Sequence, residues 1–168
     1  FAIMQLVDAG RVALDTPVVR YLKLAQTATP ADPRFASITT RHLLTNASGL
    51  PQGFSGDPFL GIDTTSGALE RLVRDDMFPR TLDFAPGKGY VYSNRGFSLA
   101  SLVVQDASGE SYESYVARRI FEPLGMRHST GEFWRGESMG RTQGYRETTD
   151  GKPVPRLPST SREWTGSG

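Results

Sequence analysis

The chain has 168 residues, 38% of them hydrophobic and 22% charged, with 18 glycines and 11 prolines; that is the size of one ordinary domain and the composition of a turn-rich globular protein rather than a disordered or fibrous one. Nineteen Lys plus Arg against eighteen Asp plus Glu leave a net charge of +1, and no segment gathers basic residues into a stripe that would neutralise a phosphate backbone, so nucleic acid is not an expected partner. Cysteine is absent, which removes disulfides, thiolate metal sites and Cys nucleophiles, and no apolar run reaches the roughly 18 residues of a membrane span.

Residues 1–7 are apolar and are followed by Asp8, Ala9 and Gly10, the pattern of a buried helix closing on a C′ glycine. This helix starts abruptly in apolar sequence, as though its first turns had been cut away. Asp15-Thr16-Pro17 supplies a capping residue and a proline for a first helical position, predicting a short helix to about Leu24; residues 25–37, with Pro30 and Pro33, are expected to be loop. Thr39 or Thr40 caps a short helix through Leu43 and Leu44 that Gly49 and Pro51 end, and a Gly-rich loop runs on to Asp63. Thr64 or Thr65 opens the next helix, with Leu69, Leu72 and Val73 at helical spacing and Glu70, Arg71, Arg74 and Asp75 on the wet face, until Phe78-Pro79 stops it.

Phe84-Ala-Pro86-Gly87 reads as a tight turn, because Pro fixes φ at one corner and Gly tolerates positive φ at the other. Residues 90–92 are then extended. From about Asn94 to Ala107 an apolar helix aligns Leu99, Val103 and Ala107, with Gly109 as its stop. Ser111 caps the following helix, whose early Glu113 and late Arg118 and Arg119 suit the helix dipole, and Pro123-Leu-Gly125 closes it. Beyond Met126 the sequence is loop-like, with one hairpin expected around Asp150-Gly151.

Four of these segments, in order, carry a resemblance. Met4-Gln-Leu-Val-Asp-Ala-Gly10 with Leu14-Asp15 and Pro17-Val18, Thr40-Arg-His-Leu-Leu-Thr-Asn-Ala-Ser-Gly-Leu-Pro51, Phe84-Ala-Pro-Gly87 with Tyr92-Ser-Asn94, and Phe121-Glu-Pro-Leu-Gly-Met126 together resemble the serine β-lactamase-like, penicillin-binding-protein-like hydrolases: class C β-lactamases, DD-peptidases and related esterases. The resemblance covers residues 1 to about 146. Asn46 stands where a His is common in that family, at a position to which the family assigns no chemistry. The implied parent fold is α+β, a helical region plus an antiparallel sheet flanked by helices, with the cleft between them. This chain would be mainly the α-helical region with little strand, a partial domain truncated at both ends.

The chemistry of that family uses a Ser-x-x-Lys nucleophile, a second element ending in Asn and a third Lys-Thr-Gly-type element. A serine hydroxyl needs a base to become nucleophilic, and a lysine one helical turn away shares its face. An ammonium beside a phenol favours the phenolate and suits the phenol to proton transfer. The resemblance assigns that role to Tyr92, and to Asn94 the orientation of the lysine and of a substrate amide or ester. In an extended segment, residues two apart point the same way, so both are expected to face one cleft while Ser93 turns aside. The three lysines, Lys23, Lys88 and Lys152, follow Arg20, Ala85 and Thr149 at the three-residue offset. The chain thus contains no Ser-x-x-Lys, and no Lys-Thr-Gly follows the Tyr-x-Asn; by resemblance the nucleophile lies upstream of Phe1, and the chain alone is expected to be inactive.

His42 and His128 lack metal-ligand spacing, so no metal is assigned and no cofactor is expected. Gly53-Phe-Ser-Gly56 is not a Gly-x-Ser-x-Gly elbow, which leaves the α/β-hydrolase alternative without support. The resemblance implies a metal-free serine hydrolase acting through an acyl-enzyme on a small-molecule ester, a β-lactam or a peptidoglycan-like peptide, and a periplasmic or secreted location. The alternative is a catalytically inactive relative that binds such a peptide or regulates a partner. Oligomeric state is left open.

Overall fold

The computed structural model describes residues 1–52, 67–129, 145–148 and 150–155. Among them, five α-helices surround one core: α1 (Ala2–Asp8), α2 (Thr40–Leu44), α3 (Ala68–Leu72), α4 (Asn94–Ser108) and α5 (Tyr112–Val116). α3 and α5 each run on into a wider π-turn, Val73–Met77 and Ala117–Phe121. The described strand is one antiparallel hairpin, β1 (Tyr145–Glu147) and β2 (Pro153–Pro155), with Arg146 opposite Val154, where the turn at Asp150-Gly151 was expected. The described residues are therefore mostly helical.

α4 is the hub, packing against α1, α2, α3 and α5. Surrounded in this way, it buries an unbroken run of residues from Ser98 to Val104, together with Arg95 and Gly96. Full burial of a Leu or Val such as Leu99, Leu102 or Val103 contributes about 1.5–3 kcal/mol each. Around these pack Ile3 and Leu6 of α1, Leu43 of α2, Leu69 and Val73 of α3 with its π-turn, and Val116 of α5. Phe35 and Phe78 add an edge-to-face pair with ring centroids 5.1 Å apart. The polar members of the buried run are satisfied within the fold, Ser101 by donating to the Phe97 carbonyl at 3.1 Å.

Several helix ends follow from local chemistry. α1 closes on Gly10 with Arg11 N–H donating to the Leu6 carbonyl and Gly10 N–H to that of Val7, both at 2.9 Å, the two bonds of a Schellman motif. Thr39 caps α2 in a capping box whose third-residue partner is His42, the Thr39 N–H donating to Nδ1 at 3.2 Å. Ser93 caps α4 and Ser111 caps α5, and Gly109 stops α4 at φ 77°. The stops at Gly10 and Gly109 and the caps at Thr39 and Ser111 agree with the sequence-based expectations; the Ser93 cap and the His42 side of the capping box were not among them.

Other expectations need correction. Asp15 does not cap a helix; its carboxylate takes both Arg41 Nε and Nη2, at 2.7 and 2.8 Å. Pro17 stays outside the first helical turn, bridging to Thr39, and instead of one helix to Leu24 there are two short 3-10 turns, Val18–Arg20 and Lys23–Gln26. The cause is tertiary: Val18 N–H donates to the Ile38 carbonyl at 2.8 Å, which holds the chain extended just before it. Conversely, the expected loop at 25–37 contains a 3-10 helix, Pro33–Ser37, capped by Asp32 with Pro at its first position. α3 begins at Ala68 behind a left-handed Gly67; Thr64 and Thr65, proposed as its start, lie outside the described residues, as do the Gly-rich loop from residue 53 and both tryptophans.

Candidate functional site

The Tyr-Ser-Asn element is built where two separated segments run against each other. Ala85 to Lys88 forms a turn closed by Lys88 N–H to the Ala85 carbonyl at 2.9 Å, with Pro86 at the first corner and Gly87 at φ 77° at the second, a type II turn. On either side, this segment hands its N–H groups to the loop after α2. Asp83 donates to the Gly49 carbonyl and Gly87 to that of Ala47, each at 2.8 Å, and Val91 donates to the Asn46 carbonyl at 3.0 Å. Ser93 N–H completes the row on the side-chain Oδ1 of Asn46 at 3.1 Å.

Gly49 shows how closely the two segments approach. It sits at φ 79°, and a Cβ there would collide with the Phe84 carbonyl oxygen. Only glycine satisfies both demands, the left-handed backbone and the missing side chain.

Along the extended stretch, exposure alternates as a pleat requires: Tyr90 is 72% and Tyr92 50% exposed, while Ser93 is buried. The Ser93 hydroxyl accepts the Gly96 N–H at 3.2 Å and so starts α4. Asn94 is the first residue of α4, where the helix was expected to begin; because the Ser93 cap turns the chain there, Asn94 does not also continue the extended segment alongside Tyr92. Its Oδ1 is buried and has no hydrogen-bond partner. Tyr92 and Asn94 thus sit on either side of the joint between extended segment and helix.

Behind this joint, Arg95 is 2% exposed. Its Nη1 donates to the Pro51 carbonyl at 2.9 Å and its Nε to Asp76 Oδ2 at 2.6 Å, which ties the loop after α2, the π-turn after α3 and the head of α4 together. Arg80 approaches Asp76 as well, Nη2 to Oδ1 at 2.5 Å. Burial pushes the Asp76 carboxyl up, but the hydrogen bonds from Arg95 and Arg80 outweigh it and hold the group below the ordinary carboxylate range. A second clasp lies on the other flank: Asp32 accepts the Leu82 N–H at 2.9 Å while Arg34, paired with Asp32, donates to the Leu82 carbonyl at 2.8 Å.

The N-terminal end of α1 lies against the middle of α4: Phe1, Ala2 and Ile3 line a small cavity of about 120 Å³ with Leu44, Phe97, Ala100, Ser101, Val104 and Tyr112. Among the described residues, no group of His, Cys, Asp and Glu is arranged to hold a metal ion, and no helix is long and apolar enough to cross a membrane. His42 is engaged in the α2 cap. Sequence reasoning missed Asn46, Asp76 and Arg95 as supports of the site. Asn46 was noted only as standing where the family commonly has a His, and the Arg95 to Asp76 pair spans 19 positions.

Comparison with known proteins agrees with this architecture. The profile of the Beta-lactamase family matches residues 1–168. Penicillin-binding protein 4* of Bacillus subtilis is 35% identical over 94 residues, 55% of this chain and 21% of that protein. Esterase EstB of Burkholderia gladioli is 33% identical over 140 residues, 75% of this chain and 34% of its own length. The crystal structure of a penicillin binding protein from Bacillus halodurans superimposes with a TM-score of 0.75 at 30% identity, covering 94% of this chain and 47% of that one. The chain thus spans between about a fifth and a half of the length of these relatives. On the match along its whole length, the chain belongs to the Beta-lactamase family.

Proposed function

We propose that this chain is part of a serine hydrolase that works through an acyl-enzyme on an ester or amide, with Tyr92 moving the proton and Asn94 orienting its partners. The observation that carries the reading lies at the head of α4: a half-exposed phenol two positions before an amide whose buried oxygen is unpartnered. A buried acceptor without a donor costs about 1–3 kcal/mol, a cost that a functional donor such as a lysine ammonium offsets. The packing of α1 against α4, the helix that Asn94 begins, also supports it, since the resemblance puts the Ser-x-x-Lys on an α1 extended upstream. Relatives named as penicillin-binding protein and esterase point to a β-lactam, a peptidoglycan-like peptide or a small ester as substrate, with backbone amides stabilising the oxyanion.

In the proposed cycle the serine oxygen attacks the carbonyl carbon, its proton passes towards Tyr92 and on to the leaving group, and water then releases the acyl group. The test is Tyr92→Phe in the intact protein, read by hydrolysis of p-nitrophenyl butyrate and of a chromogenic cephalosporin. A loss of about 100-fold or more is expected for removal of a general acid-base. Parental turnover of both substrates by the variant overturns the assignment. Labelling of the intact protein by a fluorophosphonate separates hydrolase from binder, since a binding protein without an activated serine takes up none.

A further inference from the structure

Glycine ordinarily ends a helix in the left-handed conformation, because it lacks the Cβ that this conformation crowds. α2 ends there on Asn46, at φ 54°, with the Schellman bonds in place: Asn46 N–H donates to the Leu43 carbonyl at 3.2 Å and Ala47 N–H to that of His42 at 2.8 Å. For stopping the helix, glycine would serve at least as well as asparagine. What Asn46 has and glycine lacks is an amide oxygen, and that oxygen accepts the Ser93 N–H. The backbone carbonyl of the same residue accepts the Val91 N–H.

Val91 and Ser93 flank Tyr92. In extended backbone, N–H groups two residues apart point the same way, so one residue can take both, and with both peptides held, the direction in which the intervening side chain leaves the backbone is set. The side-chain oxygen matters most, because it fixes the peptide between Tyr92 and the α4 cap. We propose that Asn46 is a positioning residue for the Tyr92 phenol, its amide oxygen spacing the Tyr-Ser-Asn segment off the end of α2. The proposal rests on the reading of Tyr92 as the proton carrier.

The test uses the intact protein with p-nitrophenyl butyrate. Asn46→Gly keeps the helix stop and the carbonyl bond to Val91 and removes only the amide. Because relief of the left-handed backbone offsets the lost hydrogen bond, its thermal midpoint is expected to stay close to the parent's. Its kcat is expected to fall about 10- to 100-fold with KM within about twofold, as for a reacting group displaced by a fraction of an ångström. In a Tyr92→Phe background the same substitution is expected to cost no more than about twofold. An unchanged kcat, or an equal loss in both backgrounds, overturns the proposal. Should Asn46→Gly fail to fold, Asn46→Asp carries the test: it keeps an acceptor and tolerates positive φ, so a kcat within about threefold of the parent's supports the proposal, and a fall as large as that of Tyr92→Phe overturns it. If Tyr92→Phe itself turns over at the parental rate, the reading of Tyr92 has failed, an outcome separate from a failure at Asn46.

Discussion

The guanidinium of Arg95 is sealed in the core and locked onto Asp76, Nε to Oδ2 at 2.6 Å, one residue beyond Asn94. A buried pair of this kind adds little net stability over an apolar replacement, yet removing one partner strands the other charge. Asp76→Ala in the intact protein is therefore expected to cost about 3–5 kcal/mol in urea unfolding. A loss under about 1 kcal/mol would mean that the Pro51 carbonyl and the remaining surroundings suffice for the Arg95 charge.

Gly49→Ala combines a left-handed backbone with a collision against the Phe84 carbonyl. The expected destabilisation is on the order of 3 kcal/mol, measured by chemical denaturation. A cost near about 1 kcal/mol, that of left-handed φ alone, would show that the two segments can part without penalty.

Ser93 tests the start of α4. Its hydroxyl caps the helix by accepting the Gly96 N–H, so Ser93→Ala is expected to lower stability by about 1 kcal/mol and Ser93→Gly by only a few tenths. The order of the two unfolding midpoints checks the cap, since alanine at an ordinary helical position would be the milder change.

Stability is expected to fall in acid through Asp32. Hydrogen bonds from the Arg34 side chain, and then from the Leu82 and Arg34 N–H groups, hold this carboxyl well below the usual carboxylate range against the opposing effect of burial. The folded state therefore binds the proton more weakly than the unfolded chain. The stabilisation is complete above about pH 4 and is lost as pH falls below it; Asp76, also depressed, acts in the same direction. Asp32→Asn is expected to flatten the slope of unfolding free energy between about pH 4 and pH 2, and an unchanged slope would assign the acid limb to other carboxylates.

Much of the scaffold was readable because its signals are local. The apolar spacing from Leu99 to Ala107 and the stop at Gly109 define α4 within a short stretch, and the same holds for Gly10, Ser111 and the Asp150-Gly151 turn. Where two residues offered the same local signal, sequence could not choose between them. Asp15 and Asp32 both precede a proline by one or two positions, yet Asp15 goes to Arg41 and Asp32 caps a 3-10 helix, a choice made by partners distant in sequence. Tyr92 was singled out through the motif it belongs to, and the structure leaves its ring half exposed. Asn46 was passed over because nothing local to it points to Ser93, 47 positions away.

That separation bears on how the protein comes together. Bringing residues so far apart into register carries a loop-closure entropy that local turns avoid, so the row of bonds between residues 46–49 and 83–93 is the entropically costlier part of this region to form. On the proposed role of Asn46, the alignment of the Tyr92 phenol is then a property of this long-range pairing rather than of any one segment.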